Sequence, residues 1–238
     1  MSPAMSWLDL LTSRGVVHEV GGNHSFELSP QDDVLIVLEG GLDLFALALE
    51  GDTPVGRRHG LFRLDEGGSA WPLGSEDQVR LVAVPLPDSR ILSIPKATLV
   101  TMLIDEEWAD YALQLFISWL TSVCINLGGD LDFERSIGAL EPGRLAFGAG
   151  DFGFAQSLVW ERVVEGHGDL MGVCPVTPDT GWVTVPAAVW LEMTTETEVA
   201  VVDDSSSFDS EGSAAWLDGA LEVIGVFLSK ALFRQREE

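Results

Sequence analysis

The sequence predicts a mainly β protein made of two tandem β-barrels, each followed by an α-helix. Three observations predict this fold class. Short apolar runs alternate with turns rich in Gly, Pro and Asp in both halves of the chain, which is typical of barrels and sandwiches. The apolar residues adopt helical spacing after each strand-rich half. Two short motifs also occur in both halves in the same order. We therefore expect a first domain over residues 1–128, ending in an interdomain helix, and a second over residues 129–238, ending in a C-terminal helix.

The first half contains six runs of strand-forming residues between positions 25 and 95. They read SFEL, VLIVL, DLFALAL, GLFRL, VRLVAVPL and RILSIP, and they are separated by SPQDD, EGG, EGDTPVG, DEGGS and PDS. From Leu99 to Leu127 the apolar residues follow helical spacing, and the acidic cluster Asp105-Glu106-Glu107 complements a helix N-terminus. The sequence therefore predicts a helix over Leu99–Leu127 that ends at Gly128-Gly129.

The second half repeats this plan. Its strand-forming runs read RLAFGAG, SLVWERVV, DLMGV, GWVTVP, VWLEM and EVAVVD, and they are broken by DFG, EGHG, PVTPDTG and TTET. A second helix is predicted from about Ala214 to Arg234 because its apolar residues again recur at helical spacing.

Two motifs relate the halves. Glu39-Gly40-Gly41-Leu42-Asp43-Leu44 returns 126 positions later as Glu165-Gly166-His167-Gly168-Asp169-Leu170. The pattern W-x-D-x-A-L at Trp108–Leu113 returns 108 positions later at Trp216–Leu221, so the first half holds 18 more residues between its landmarks. We place that extra length in the stretch GRRHGLFRLDEGGSAWPLG. The ordered pair of motifs favours duplication, and it predicts a structural hairpin in each copy, formed by Glu39, Gly40 and Asp43 and by Glu165, Gly166 and Asp169.

Composition limits the function. The chain has 13 basic and 38 acidic residues and a net charge of −25, which argues against a nucleic-acid partner because phosphate binding needs clustered cations. Cys124 and Cys174 lack metal-ligand or CxxC spacing and are predicted to be small buried hydrophobes in a reducing compartment. The N-terminus carries no signal-peptide pattern, and Tyr111–Gly128 is marginal in length and too polar for a membrane span. These features predict a cytoplasmic chain without a direct membrane span.

The E-G-x-x-D-L hairpin followed by a trailing helix resembles the cyclic-nucleotide-binding-like and cupin-like barrel class. More closely, VLEGGLDLFAL with PVGRRHGLFRLDEGG, and SLVWERVVEGHGDLMG with PAAVWLEMTTETEVAVVDDSSSF, resemble the N-terminal region of permease/ATPase subunits of nitrile-hydratase-leader (NHLM or NHLP type) bacteriocin-system ABC transporters. The resemblance covers roughly Gly15 to Arg234. The chain departs from such transporters because it has no membrane bundle, and neither Lys96 nor Lys230 completes a P-loop motif.

The resemblance implies a non-catalytic regulatory or docking region that works with an exporter of ribosomally made, modified peptides. The implied partners are the exporter's ATPase or permease, or the leader or modified peptide itself, and a homodimer is left open. The implied location is the cytoplasm, at the inner face of the membrane where a transporter holds the protein. Two alternatives stand beside it: a small-molecule sensor with a ligand in a degenerate cyclic-nucleotide-binding-like barrel, and a cupin-type enzyme, the least favoured of the three.

The residues themselves do not favour a catalytic, cofactor or metal site. The Gly-rich stretch Asp65–Pro72 has no Arg for a phosphate, and Asp65 and Glu66 stand where an anion would bind. The histidines are scattered and form no H-x-H pair: His18, His24, His59 and His167. No G-x-S-x-G motif is present, and we predict no catalytic residue, no cofactor and no metal.

One cluster differs from the acidic background. Arg57, Arg58, His59 and Arg63 place four basic side chains within seven residues of a chain that has few. This pattern predicts either a docking patch for an acidic partner or ligand carboxylate, or an ion-pair patch that binds the barrels' own Asp and Glu residues. The sequence leaves both interpretations open.

Overall fold

Most of the described residues lie in β-strands, so the mainly β class predicted from the sequence is confirmed. The structure, a computed structural model, describes residues 6–20, 24–29, 33–51, 53–73, 79–103, 107–127, 137–156, 159–172, 174–185, 189–202, 221 and 225. The chain separates into two units, Met1–Trp119 and Leu120–Glu238.

The first unit begins with helix α1 (Trp7–Arg14), which the sequence analysis missed. Ser6 caps it, since its hydroxyl accepts a hydrogen bond from the Asp9 N–H while the Asp9 carboxylate accepts one from the Ser6 N–H. Eight strands follow: β1 (Val16–Val20), β2 (Phe26–Leu28), β3 (Asp33–Glu39), β4 (Gly41–Glu50), β5 (Thr53–Asp65), β6 (Ser69–Ala70), β7 (Val79–Pro85) and β8 (Ser89–Pro95). They form two antiparallel sheets with the orders β1-β8-β3-β6 and β2-β7-β4-β5.

Two helices, α2 (Lys96–Leu103) and α3 (Ala109–Leu127), follow β8 where the sequence predicted a single helix over Leu99–Leu127. Residues 104–106 between them lie outside the described residues. A run of acidic residues favours a helix start and not a helix interior, which explains why α3 begins just after this run. The face of α3 that carries Ala112, Phe116 and Trp119 is buried. No described helix is long and apolar enough to cross a membrane.

The second unit contains β9 (Ile137–Ala139), β10 (Gly143–Phe147), β11 (Phe152–Phe154), β12 (Val159–Glu165), β13 (Gly168–Leu170), β14 (Cys174–Val176), a 3₁₀ turn (Pro178–Thr180), β15 (Val183–Val185), β16 (Trp190–Met193) and β17 (Thr197–Val202). Its sheets have the orders β10-β17-β12-β15 and β14-β13-β16-β11-β9. Of the second helix predicted over Ala214–Arg234, only Leu221 and Gly225 are described, and both are helical. The rest of that prediction lies outside the described residues.

The two units share one strand topology. The strands β1 to β8 of the first unit correspond in order to β10 to β17 of the second, and corresponding strands have the same neighbours in their sheets. The second unit has one additional strand, β9, which pairs in parallel with β11. The registers also correspond. Glu39 lies opposite Arg90 after a bulge in β3, and Glu165, 126 positions later, lies opposite Glu198 after a bulge in β12. The offset is 108 positions on the partner strands, the same as that of the W-x-D-x-A-L motif.

The extra length of the first unit lies mainly in one hairpin. Leu35 pairs with Ala70, 35 positions later, whereas the corresponding Glu161 pairs with Val183, only 22 positions later. This difference falls in β4 and β5, which are long, while β13 and β14 have three residues each. The sequence pattern predicts the extra length from Gly56 onwards and a turn at EGDTPVG. The structure shows instead that most of this stretch belongs to β4 and β5.

Candidate functional site

The β4–β5 hairpin carries the basic residues that the sequence singled out. Strand β5 has 13 residues and lies at the edge of its sheet, where β4 is its one partner among the described strands. An exposed edge strand presents free backbone groups that another chain can pair with. The hairpin is therefore the part of the first unit that is both longer than its counterpart and open to a partner along one side.

A β-bulge displays two arginines on this edge. Ala46 pairs with His59 and Ala48 pairs with Val55, so that Gly56, Arg57 and Arg58 all lie opposite the single residue Leu47. Gly56 has φ 79°, a conformation that side-chain-bearing residues rarely adopt. Arg57 and Arg58 are exposed, and neither side chain has an ion pair or hydrogen bond to another residue in the described part of the chain. His59 next to them is half-buried.

Arg63, by contrast, is held by its own unit. It lies directly opposite Asp43, and its Nε and Nη2 donate to the two carboxylate oxygens at 2.7 and 3.2 Å. The hydrogen bond and charge of Asp43 raise the pKa of Arg63 above its ordinary value. This bidentate pair joins two residues that the sequence had assigned to different groups, the repeat hairpin and the basic patch. The structure thus divides the patch into one paired arginine, Arg63, and a free pair on the bulge, Arg57 and Arg58.

The two repeat hairpins have the same backbone. Gly40 and Gly166 follow the bulge glutamates with φ 82° and 90°. A buried hydroxyl from the neighbouring strand closes each turn: Ser89 Oγ donates to the Gly41 carbonyl at 3.0 Å, and Thr197 Oγ1 donates to the His167 carbonyl at 2.9 Å. Sequence reasoning missed these two hydroxyls, although they are separated by the same 108 positions as the second motif.

The acidic residues of the hairpins have different partners in the two units. Glu39 forms an ion pair with Arg90, but Glu165 lies opposite Glu198, which is paired instead with Arg144 at 2.5 Å. The aspartates of the two motifs also have different neighbours. Asp43 lies opposite Arg63, whereas Asp169 lies opposite Pro175 and Glu192. The two hairpins thus have the same backbone turn but different charged contacts.

Two backbone N–H groups of the Gly-rich stretch before β6 already have partners within the first unit. The Gly67 N–H donates to the Val37 carbonyl and the Gly68 N–H donates to the Asp65 carbonyl, both at 2.9 Å. Phosphate binding at such a turn depends on N–H groups that point at the anion, and these two are already used.

The histidines do not converge. His18 and His24 both lie edge-on to Phe26, with ring centroids 5.2 and 4.8 Å away. His59 lies on β5, and His167 lies in the second hairpin turn. Over the described ranges, no group of three or more His, Cys, Asp and Glu residues is arranged to hold a metal ion.

A buried carboxyl group in the second unit was also missed. Glu161, on β12, is 1% exposed, and neither carboxyl oxygen has a hydrogen-bond partner. Burial raises the pKa of Glu161 to about 8, because desolvation disfavours the charged form. The signal was present in the run VWERVV, where strand alternation places Glu161 on the same face as Val159 and Val163.

Comparisons with known proteins concern the fold only. No protein-family model and no curated protein matches the chain. Among solved structures, OCPA-complexed CprK is 17% identical with a TM-score of 0.38, over 51% of this chain and 55% of CprK. A transcriptional regulator from Thermotoga maritima is 24% identical with a TM-score of 0.35, over 46% of this chain and 85% of that one. A CooA mutant from Carboxydothermus hydrogenoformans is 14% identical with a TM-score of 0.38, over 55% of this chain and 82% of that one.

The neighbours CprK and CooA are regulators with a cyclic-nucleotide-binding-like fold. Their identities and TM-scores are too low to carry an argument about function. The chain also spans little more than half the length of CprK. None of the three is an exporter of the NHLM or NHLP type, so the exporter resemblance stays a prediction.

Proposed function

We propose that this protein is a non-catalytic docking module in which the β4–β5 hairpin binds an acidic segment of a partner. The observation that supports this most directly is the bulge, which displays Arg57 and Arg58 on an exposed sheet edge. In a chain of net charge −25, two unpaired cations on one projecting hairpin give local attraction for an acidic partner and leave the rest of the surface repulsive to it.

The architecture supports the same proposal. We propose that the two units are copies of one cyclic-nucleotide-binding-like barrel, since their strand orders and bulge positions correspond. The long hairpin is then a feature of the first copy alone, because β13 and β14 are short. A fold that closes without this hairpin in one copy does not need it in the other, which favours a binding role over a folding role.

The setting that we propose is the cytoplasmic side of a bacteriocin-type peptide exporter, with the acidic stretch of a leader peptide as the occupant of the hairpin. This setting comes from the sequence resemblance. An extended peptide can pair with the free edge of β5 through backbone hydrogen bonds, while its carboxylates meet Arg57 and Arg58.

Reversing both bulge charges tests the docking proposal. We expect the Arg57→Glu/Arg58→Glu protein to bind a fluorescently labelled acidic leader peptide at least tenfold more weakly than the unchanged chain. Binding by the unchanged chain should also weaken when salt rises from 50 to 300 mM, since exposed charges are screened. Fluorescence anisotropy with the full chain measures both effects.

The matched control is Arg14→Glu/Arg162→Glu, which makes the same change in net charge at two other exposed arginines. It should alter peptide affinity less than twofold. Equal losses in both double variants would show that net charge alone governs binding. Unchanged binding together with aggregation of the bulge variant would show that the arginines only protect the edge strand. Capture of the exporter ATPase or permease in place of the peptide would assign a different partner to the hairpin.

A small-molecule sensor is the second candidate function, and Glu161 is the observation that favours it. Its two carboxyl oxygens are buried without a hydrogen-bond partner, and a polar ligand that entered the second unit would pair with them. A ligand bound there should raise the melting temperature of the unchanged chain and have no effect on Glu161→Leu.

A further inference from the structure

Glu161 occupies the centre of a sheet. It pairs with Val183 of β15 on one side and with Val201 of β17 on the other, and β12 is an inner strand of its sheet. Arg162, the next residue, is exposed, which places Glu161 on the inward face. The carboxyl group is therefore enclosed by strands of its own sheet and is not at an edge or in a loop.

In the first unit, the position that corresponds to Glu161 is occupied by an ordinary apolar core residue. Leu35 has the corresponding register, between Ala70 of β6 and Ser93 of β8, and it is 2% exposed. The same strand order thus closes around a leucine in one unit and around a carboxyl group in the other. The topology does not require an acid at this place, so the acid is a particular property of the second unit.

Among the residues that the structure describes around Glu161, no charged group offsets its burial. On β12 the inward residues are Val159 and Val163, and the charged Arg162 and Glu165 are exposed. On β15 the inward residues are valines, and no residue of that strand titrates. On β17 the buried residues Val199 and Val201 alternate with Glu198, which is paired with Arg144 of β10. On the other sheet of the unit, the buried residues Leu170, Leu191 and Met193 alternate with the half-buried Asp169 and Glu192.

We propose that Glu161 is a protonation switch: the closed core of the second unit requires its neutral acid form, and loss of the proton loosens the sheet around β12. An ionised carboxylate without a partner is strongly disfavoured among apolar side chains, whereas the neutral acid is tolerated at a smaller cost. Opening exposes the group to water and removes this penalty. The switch acts within the second unit and does not depend on the docking proposal.

The direction of the pH effect follows from linkage. The raised pKa of Glu161, about 8 against an ordinary 4.5, means that the closed form holds its proton over a pH range in which the open form releases it. The stability of the closed form is therefore complete below pH 4.5 and declines as pH rises toward 8. A single proton released on opening raises the opening constant about tenfold per pH unit within that window.

Hydrogen exchange on the full chain tests the switch. At each pH, protection of the β12 and β17 peptides is compared between the unchanged chain and Glu161→Gln, so that intrinsic exchange rates cancel. We expect this ratio to change about 100-fold between pH 5 and 7, because glutamine cannot ionise. Peptides from β3 and β8 report whether opening stays within the second unit.

Two further variants complete the experiment. Glu161→Leu, which carries the residue of the first unit, should behave as Glu161→Gln does, and Glu165→Gln, an exposed acid on the same strand, should behave as the unchanged chain. If the ratio of protection between the unchanged chain and Glu161→Gln does not change with pH, the switch is refuted. If both Glu161 variants fail to fold, carbon-13 NMR titration of Glu161 in the unchanged chain decides: a midpoint near 8 supports the switch, and one near 4.5 refutes it.

Discussion

Replacing Trp71 by alanine is expected to produce a large loss of stability in the first unit. The Trp71 side chain is fully buried, directly after β6, and its ring lies edge-on to Phe116 of α3 with centroids 5.3 Å apart. Its Nε1–H donates to Ser69 Oγ at 3.0 Å, and that hydroxyl donates to the Leu115 carbonyl at 2.8 Å. The substitution leaves a cavity and disrupts this link between the sheet and α3. We expect a loss of about 3–5 kcal/mol in the free energy of unfolding.

Urea unfolding measures the loss, and Trp7→Ala is the matched control. Trp7 is also aromatic and stacks on Trp108 and Tyr111 at 5.9 and 5.1 Å, but it is only half-buried. Removing it should cost about 1–2 kcal/mol, because water replaces part of what is lost. Trp71→Phe keeps most of the ring and removes the N–H, so its effect should fall between the two. Equal effects of Trp71→Ala and Trp7→Ala would refute the link to α3.

The positions of most strands along the chain could be predicted from the sequence because turn chemistry is local. Gly40 and Gly166 mark the hairpins in the printed sequence, and the structure shows why glycine is needed there. The strand-forming runs around them follow from apolar alternation alone. The elements that were missed are short or polar, such as β1 with the sequence VVHEV, or they end at a cap, such as α1. These elements are stabilised by pairing and packing with other parts of the fold, which a local sequence pattern does not reveal.

The basic hairpin was harder to predict because a bulge breaks the strand period. Gly56-Arg57-Arg58 has the composition of a loop, yet these residues belong to β5. The Arg63–Asp43 pair joins residues 20 positions apart, and it depends on a register that only the folded hairpin fixes. Composition identified the unusual cluster, and pairing decided which of its arginines are free.

Glu161 shows the opposite difficulty. Strand alternation alone places it inside, but a net charge of −25 makes every acidic residue look like a solvated one. Its burial without a hydrogen-bond partner and the comparison with Leu35 at the corresponding register separate this glutamate from the others. Once two units share a strand order, the informative positions are those where one of them departs from the residue type that the fold accepts.

The two hairpin glycines should be far less replaceable than their φ angles alone imply. A Cβ at Gly166 would meet Thr197 Oγ1 at 2.7 Å and would also clash with the Glu196 carbonyl. A Cβ at Gly40 would clash with Ser89 Oγ and would lie 3.1 Å from Ser89 Cα. The backbone strain of a positive φ costs about 1–2 kcal/mol, and crowding of this kind adds about 1–3 kcal/mol. We therefore expect Gly40→Ala and Gly166→Ala to lower the free energy of unfolding by about 2–5 kcal/mol each.

Each unit supplies a control that separates strain from crowding. Gly67 has φ 83° and Gly150 has φ 86°, close to the values of Gly40 and Gly166, but a Cβ at either has no atom within 4 Å. Gly67→Ala and Gly150→Ala should therefore show only the strain, about 1–2 kcal/mol. Urea unfolding of all four variants gives the difference within each pair. A crowding effect at both hairpins would mean that the buried hydroxyls of Ser89 and Thr197 close corresponding turns, whereas equal costs within both pairs would leave only the backbone angle to explain the repeated glycine.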